Sequence, residues 1–346
     1  MKPTSGTRIK IRRSTCRASS ISLTVVVAIL IFLGSFVYAA EPANEILAAV
    51  VKVQSNIPAT ARTAGSLGTE RAGSGVVIDS SGLVVTIGYL ILEAMRVEVK
   101  APGGKPVKAK IIAYDHDSGF GLLRATEPLG VRPMELGDST MVGERDEVLM
   151  VSRGEAEAVQ GALVISRRDF AGYWEYLLEN AIFAAPPLPN FGGAALIGRG
   201  GRLLGIGSLF VNDVLPDHGQ VPSNMFVPIN RLKPILADLI VKGRSSKPPR
   251  PWLGMFSQDV GGRILVQRVS SGGPADQAGI QPGDMIVGVA GEAVQGLADF
   301  YRKVWSRGDA GVEVPLNVLQ GLRVRNVVVR SSDRYKYLRL NPSPTP

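Results

Sequence analysis

Pro186-Pro187-Leu188-Pro189-Asn190-Phe191-Gly192-Gly193-Ala194-Ala195-Leu196 is the stretch on which the reading of this chain turns. A bulky residue and a Gly-Gly pair open into small apolar positions, the composition of a tight loop. Two residues limit what such a loop can do chemically. Phe191 has no lone pair to attack a carbonyl and no proton for a base to remove. Pro189 has no backbone N–H to donate. Where a loop of this kind stabilises an oxyanion, one lost donor costs about 2.7–4 kcal/mol of transition-state stabilisation.

Upstream, residues 73–89 read Gly-Ser-Gly-Val-Val-Ile-Asp-Ser-Ser-Gly-Leu-Val-Val-Thr-Ile-Gly-Tyr. Two β-rich runs flank Asp79-Ser80-Ser81-Gly82, whose side chains and glycine suit a tight hairpin. Residues 111–123 read Ile-Ile-Ala-Tyr-Asp-His-Asp-Ser-Gly-Phe-Gly-Leu-Leu, a charged loop before a buried strand. Taken with the Phe191 loop, these segments resemble the HtrA/Deg family of trypsin-like serine proteases. The glycines of the first segment, Asp79, Gly82 and Thr86 match that family's pattern at its spacing.

The resemblance implies a His–Asp–Ser triad, and its three positions fall on Tyr89, Gly119 and Phe191, with the oxyanion position at Pro189. A phenol with a pKa near 10 is a poor proton acceptor at neutral pH. Four departures across three motifs point to a degenerate member without peptidase activity. No replacement is evident. Ser74, Ser152 and Ser208 have no base nearby in sequence, and His116 and His218 are the only histidines. Asp115-His116-Asp117 reads as a charged loop, since no further ligand stands at metal-binding spacing; neither a metal nor a cofactor is expected.

Residues 230–240 carry apolar positions 232, 235, 236 and 239 at helical spacing, with Asn230 a candidate N-cap. The Pro-rich basic segment 243–251 then marks a domain boundary. Beyond it, residues 273–287 (Gly-Pro-Ala-Asp-Gln-Ala-Gly-Ile-Gln-Pro-Gly-Asp-Met-Ile-Val) resemble the PDZ domain of the same family. Arg263–Val269 is expected as a strand, Leu297–Trp305 as a helix, and residues 312–319 with Arg323–Arg330 as a closing hairpin. Such a domain binds by adding a partner's C-terminal strand to its sheet edge. The resemblance assigns the terminal carboxylate to the backbone N–H groups of Leu253, Gly254 and Met255. It gives Leu297, Phe300, Tyr301 and Val304 as the apolar wall.

Composition agrees with a mostly β chain of roughly two domains after a leader: 346 residues, with 40 glycines and 23 prolines against few aromatics. Six of the 39 basic residues precede Ala40, where no acidic residue stands, so the formal charge of +9 is largely that of the leader. A nucleic-acid partner is therefore not expected. The basic start, the apolar run 21–37 and Val37-Tyr38-Ala39 read as a secretory signal, with an uncleaved anchor as the alternative. Cys16, the sole cysteine, lies upstream of that run, leaving the exported part without a thiol.

The implied fold is two six-stranded antiparallel barrels followed by a PDZ domain. The expected boundaries are leader 1–40, protease-fold domain 41–241, linker 242–251, PDZ domain 252–332 and tail 333–346. The expected role is an exported, periplasmic or envelope pseudoprotease that binds C-terminal peptides or unfolded envelope proteins, as chaperone, adaptor or regulator of an active HtrA relative. An active serine endopeptidase and an envelope scaffold are the alternatives. The family's homo-trimer finds no aromatic-rich contact before Gly73 to support it.

Overall fold

Alternation of apolar and polar residues builds two closed barrels. In β4 (Arg96–Lys100) Val97 and Val99 point inward while Arg96 and Lys100 are exposed, the period of two that a half-buried strand requires. β4 closes the first barrel with β1 (Val50–Asn56), β2 (Glu70–Val77), β3 (Leu83–Ile87), β5 (Val107–Tyr114) and β6 (Phe120–Ala125), in the order β1-β2-β3-β6-β5-β4. The second barrel comprises β7 (Glu147–Arg153), β8 (Glu157–Gly172), β9 (Tyr176–Ala185), β10 (Ala195–Ile197), β11 (Leu203–Leu215) and β12 (Gly219–Pro228), in the order β10-β11-β12-β9-β8-β7. The structure is a computed structural model, and it describes residues 44–154, 157–215 and 219–338. The expected leader, His218 and the tail beyond residue 338 lie outside the described residues.

The expected hairpin forms between β2 and β3. One Asp79 carboxylate oxygen accepts from the Ser81 and Leu83 N–H groups and the Ser81 hydroxyl, and Gly82 takes a positive φ of 77° to complete the turn. Residues 55–72 are polar and rich in Gly, Thr and Ala, the composition of a surface loop, yet β1 runs to Asn56 and β2 starts at Glu70, so the connection is confined to residues 57–69. One apolar cluster draws on both barrels, with Val53, Phe120 and Leu122 from the first and Val151, Phe183 and Met225 from the second, and a separate cluster around Met150, Ile182 and Phe226 fills the rest of the second barrel.

Helix Leu236–Lys242 follows the second barrel and ends at Gly243, in the left-handed region. Asn230 does not cap it. Its side chain lies a turn earlier, accepting from the Ser139 N–H and donating to Asp138, and Leu232, Ile235 and Leu239 supply the buried stripe.

β13 (Met255–Val260), β14 (Arg263–Val269), β15 (Met285–Val289), β17 (Glu313–Gln320) and β18 (Arg323–Arg330) form a third sheet in that order, with β16 (Glu292–Ala293) beside β15. Helix Leu297–Trp305 covers its core. The tail begins as structure: helix Arg334–Tyr337 is capped by Asp333, and Tyr335 donates its hydroxyl to the Tyr114 carbonyl of the first barrel. Tyr337 packs on Trp252 at 4.6 Å between ring centroids. Large aromatic area at low entropic cost explains why a short terminal segment docks.

Candidate functional site

The three positions assigned to a triad meet at the junction of the barrels. Tyr89 sits on the 3-10 turn Gly88–Leu90 after β3, and the Gly88 N–H donates to the Gly119 carbonyl at 2.7 Å. Gly119 belongs to the loop between β5 and β6 and has a φ of 84°, a conformation glycine reaches without strain. The loop before β10 approaches from the other barrel: a β-carbon on Gly192 would stand 2.8 Å from the Tyr89 hydroxyl. That loop is bolted to β2, since the Ser74 N–H donates to the Gly192 carbonyl at 2.8 Å and the Thr86 hydroxyl donates to the Ser74 carbonyl at 2.6 Å. The Ser74 hydroxyl in turn accepts the Arg153 N–H at 2.8 Å.

The chemistry available there is that of a packed junction. Tyr89 donates its hydroxyl to the Ser208 carbonyl at 3.1 Å, and burial pushes its pKa up, so the phenol keeps its proton at neutral pH. Phe191 contributes a half-buried ring, and its carbonyl accepts from the Ala194 N–H in the turn of the loop. Pro189 has no N–H to point at a substrate. Ser74 and Ser208 are buried and engaged in these contacts, and the buried Ser152 hydroxyl has no partner at all.

His116 is the one histidine among the described residues. Its ring is caged edge-on by Tyr114 and Tyr335, at 4.5 and 4.4 Å between centroids, and neither ring nitrogen has a hydrogen-bond partner. Burial, reinforced by the positive charge of Arg334, holds its pKa well below the ordinary value of 6.5. A neutral imidazole in the fold and an ordinary one in the unfolded chain give a definite pH dependence. The unfolded state takes up the proton first, so the stability is present above the unfolded pKa and lost as pH falls below it. Thermal melts should show stability falling below pH 6.5 by up to about 1.4 kcal/mol per pH unit from this group. His116→Phe should remove that part of the slope. An unchanged slope would mean the imidazole is not caged.

The PDZ-type loop presents a different picture. The N–H groups of Leu253, Gly254 and Met255 converge on one carboxylate, that of Glu175, at 2.8, 2.6 and 2.8 Å. Gly254, with a φ of 81°, lets the loop turn so that consecutive donors face the same way. Glu175 lies at the tip of the β8–β9 hairpin and is itself in the left-handed region, with a φ of 55°, a costly conformation outside glycine. Burial raises its pKa, opposed by the three N–H groups and by Arg334. Tyr301, one of the four wall candidates, donates its hydroxyl to the Gly172 carbonyl at 2.7 Å and accepts the Glu175 N–H at 3.1 Å. Leu297, Phe300 and Val304 are buried in the domain's core, where they are joined by Leu177 from β9. Glu175 carries no distinguishing sequence signal beyond its aromatic neighbours Tyr173, Trp174 and Tyr176.

Two antiparallel barrels with a Gly-Gly loop at their junction, followed by a six-stranded sheet with a carboxylate-holding turn, define a trypsin-like double barrel joined to a PDZ domain. Family models agree: residues 73–206 match the trypsin-like peptidase domain and residues 251–330 the PDZ domain. The chain thus carries a trypsin-like peptidase domain followed by a PDZ domain, and it is similar to HtrA-type proteases. It is 26% identical over 275 residues to a probable periplasmic serine endoprotease DegP-like of Bartonella henselae, covering 75% of this chain and 52% of the relative. It is 30% identical over 249 residues to the DegP-like protein of Brucella suis, covering 67% and 47%. The chain thus spans about half the length of these curated relatives. Among solved structures, the HtrA-type protease AlgW with a decapeptide aligns with a TM-score of 0.51 at 19% identity, over 87% of this chain and 99% of that one. The serine endoprotease from Yersinia pestis aligns with a TM-score of 0.51 at 21% identity, over 84% and 97%. Both curated relatives are named probable periplasmic serine endoproteases. No helix among the described residues is long and apolar enough to cross a membrane.

Proposed function

We propose that this chain is an exported HtrA-type pseudoprotease of the periplasm or envelope, which binds C-terminal or unfolded segments of envelope proteins through its PDZ domain. It would act there as a chaperone, adaptor or regulator of an active relative. One observation carries the loss of catalysis: where the family would need a base facing a nucleophile, a protonated Tyr89 donates to the Ser208 carbonyl beside the Phe191–Gly192 turn. Phe191 has no heteroatom to attack with and Tyr89 keeps its proton, so covalent acyl transfer through this pair has no first step. The export part rests on the basic, apolar leader pattern and on the printed names of the relatives.

The test is digestion of an unfolded protein such as reduced casein by the purified protein and by its Phe191→Ser variant. Neither is expected to cleave above the buffer rate, because a lone serine opposite a tyrosine still lacks a base and an oxyanion donor at Pro189. Cleavage by the natural protein would establish the endopeptidase reading. Cleavage by Phe191→Ser alone would show that a base stands within reach of position 191 after all.

A further inference from the structure

We propose that the tip of the β8–β9 hairpin is an internal ligand of the PDZ groove, and that an incoming C-terminus must displace Glu175 to bind. The proposal rests on the peptide-binding reading above and adds what controls it. A groove for a terminal carboxylate offers a turn of backbone N–H groups and an adjoining strand edge. Here a carboxylate already fills the turn, held by Leu253, Gly254 and Met255. The backbone leading to it lies along the strand edge as a peptide would. The Ser257 N–H donates to the Tyr173 carbonyl at 2.8 Å. From Met255 to Ser257 is two residues forward, and from Glu175 to Tyr173 is two residues back. Opposed steps of two match the direction of an antiparallel strand, here joined by a single backbone hydrogen bond.

The mimicry extends to the side chains. A terminal residue brings an apolar group as well as a carboxylate, and Leu177 enters the buried cluster that contains Leu253, Met255, Phe300 and Tyr301. The Tyr301 hydroxyl bridges the Gly172 carbonyl and the Glu175 N–H, fixing the hairpin tip against the groove helix. The side-chain carboxylate differs from a true terminus in one respect: it reaches the donors from a residue held at a positive φ. A free C-terminus would make the same hydrogen bonds from an extended backbone. Strain at the tip and a buried anion give the internal ligand a reason to leave, and its tether gives it a reason to return.

Displacement needs the tip to lift and the Leu177 side chain to leave the groove cluster. Tyr176, the next residue, donates its hydroxyl to the Ser118 carbonyl at 2.8 Å and anchors β9 to the first barrel. Arg334 donates to the Trp174 carbonyl at 3.2 Å and closes the outer side of the tip. A binding site that is open for only part of the time loses apparent affinity by the fraction that is open. The groove would therefore respond to ligands present at high local concentration and ignore dilute ones.

The experiment titrates labelled peptides ending in leucine or valine, each as free acid and as amide, into the natural protein and into Glu175→Ala and Glu175→Gln variants. Fluorescence anisotropy is the readout. The free acids should bind both variants at least tenfold more tightly than the natural protein, and the amides should gain nothing. Hydrogen exchange on the natural protein needs no substitution: saturating free-acid peptide should expose the Trp174 and Glu175 amides while Leu253, Gly254 and Met255 stay protected. Equal, tight binding by all three proteins would overturn the internal ligand while leaving the peptide-binding reading intact. Binding by none of them, with folded variants, would overturn both and make the hairpin a permanent structural seal.

Discussion

Gly193→Ala is expected to cost about 3 kcal/mol or more of stability, at the severe end of single substitutions. Gly193 has a φ of 74°, a region where an L side chain is strained. A β-carbon there would overlap the Ser74 carbonyl oxygen and stand 2.8 Å from the Thr86 hydroxyl oxygen. Neither can retreat cheaply. The Ser74 carbonyl accepts from the Thr86 hydroxyl, the Ser74 N–H is bound to the Gly192 carbonyl, and the Gly193 N–H is bound to the Gly207 carbonyl at 2.8 Å. The substitution thus strikes the bolt between the barrels. Urea denaturation followed by tryptophan fluorescence measures it, and a loss under about 1 kcal/mol would mean that the loop does not seat against β2.

Arg71→Ala should be comparably damaging, at about 3–5 kcal/mol, because it strands buried charge and carbonyl groups. Arg71 is 6% exposed. Its guanidinium donates to the Tyr89 carbonyl at 2.6 Å, the Leu92 carbonyl at 3.0 Å and the Thr63 hydroxyl at 2.9 Å. The adjacent Glu93 is 1% exposed and accepts both the N–H and the hydroxyl of Thr63 at 2.8 Å. Removing the arginine leaves the Tyr89 and Leu92 carbonyls without their buried donor, takes a positive charge from the neighbourhood of Glu93 and frees the turn that carries Tyr89. Arg71→Lys should recover only part of the loss, since an ammonium cannot reproduce the forked geometry. Denaturant midpoints of the two variants check both statements, and equal midpoints would remove the fork from the account.

These two positions show how differently the chain discloses its parts. Gly193 stands in a loop whose Gly-Gly pair is visible at once, and the need for glycine follows from the close approach of two backbones. Arg71 lies in the stretch 55–72 that composition alone presents as loop. Its partners at 89, 92 and 93 come from the far side of a hairpin, and nothing local marks it as buried.

Local chemistry explains what was legible. The Asp79 turn, the strand Arg263–Val269 and the helix Leu297–Trp305 are written in side chains that act within a few residues of themselves. The residues at positions 89, 119, 189 and 191 are likewise plain text, as is their lack of a nucleophile and a general base. Tertiary structure decided the rest. Asn230 reads as a helix cap, yet the helix begins further on and Asn230 is drawn to Ser139 and Asp138, some 90 residues away in the chain. His116 reads as part of a charged loop, yet Tyr335 docks on it from the tail and seals it from water. Most of all, the carboxylate in the PDZ-type turn comes from Glu175, far upstream of its donors. The sequence by itself determined single turns, strands and the residues at each motif, because patterning and turn chemistry are local, and the barrels and the PDZ domain followed from its resemblance to the HtrA/Deg family. Only the tertiary structure decided what fills the groove, because a carboxylate and its donors carry no mark of each other until the fold brings them within hydrogen-bonding distance.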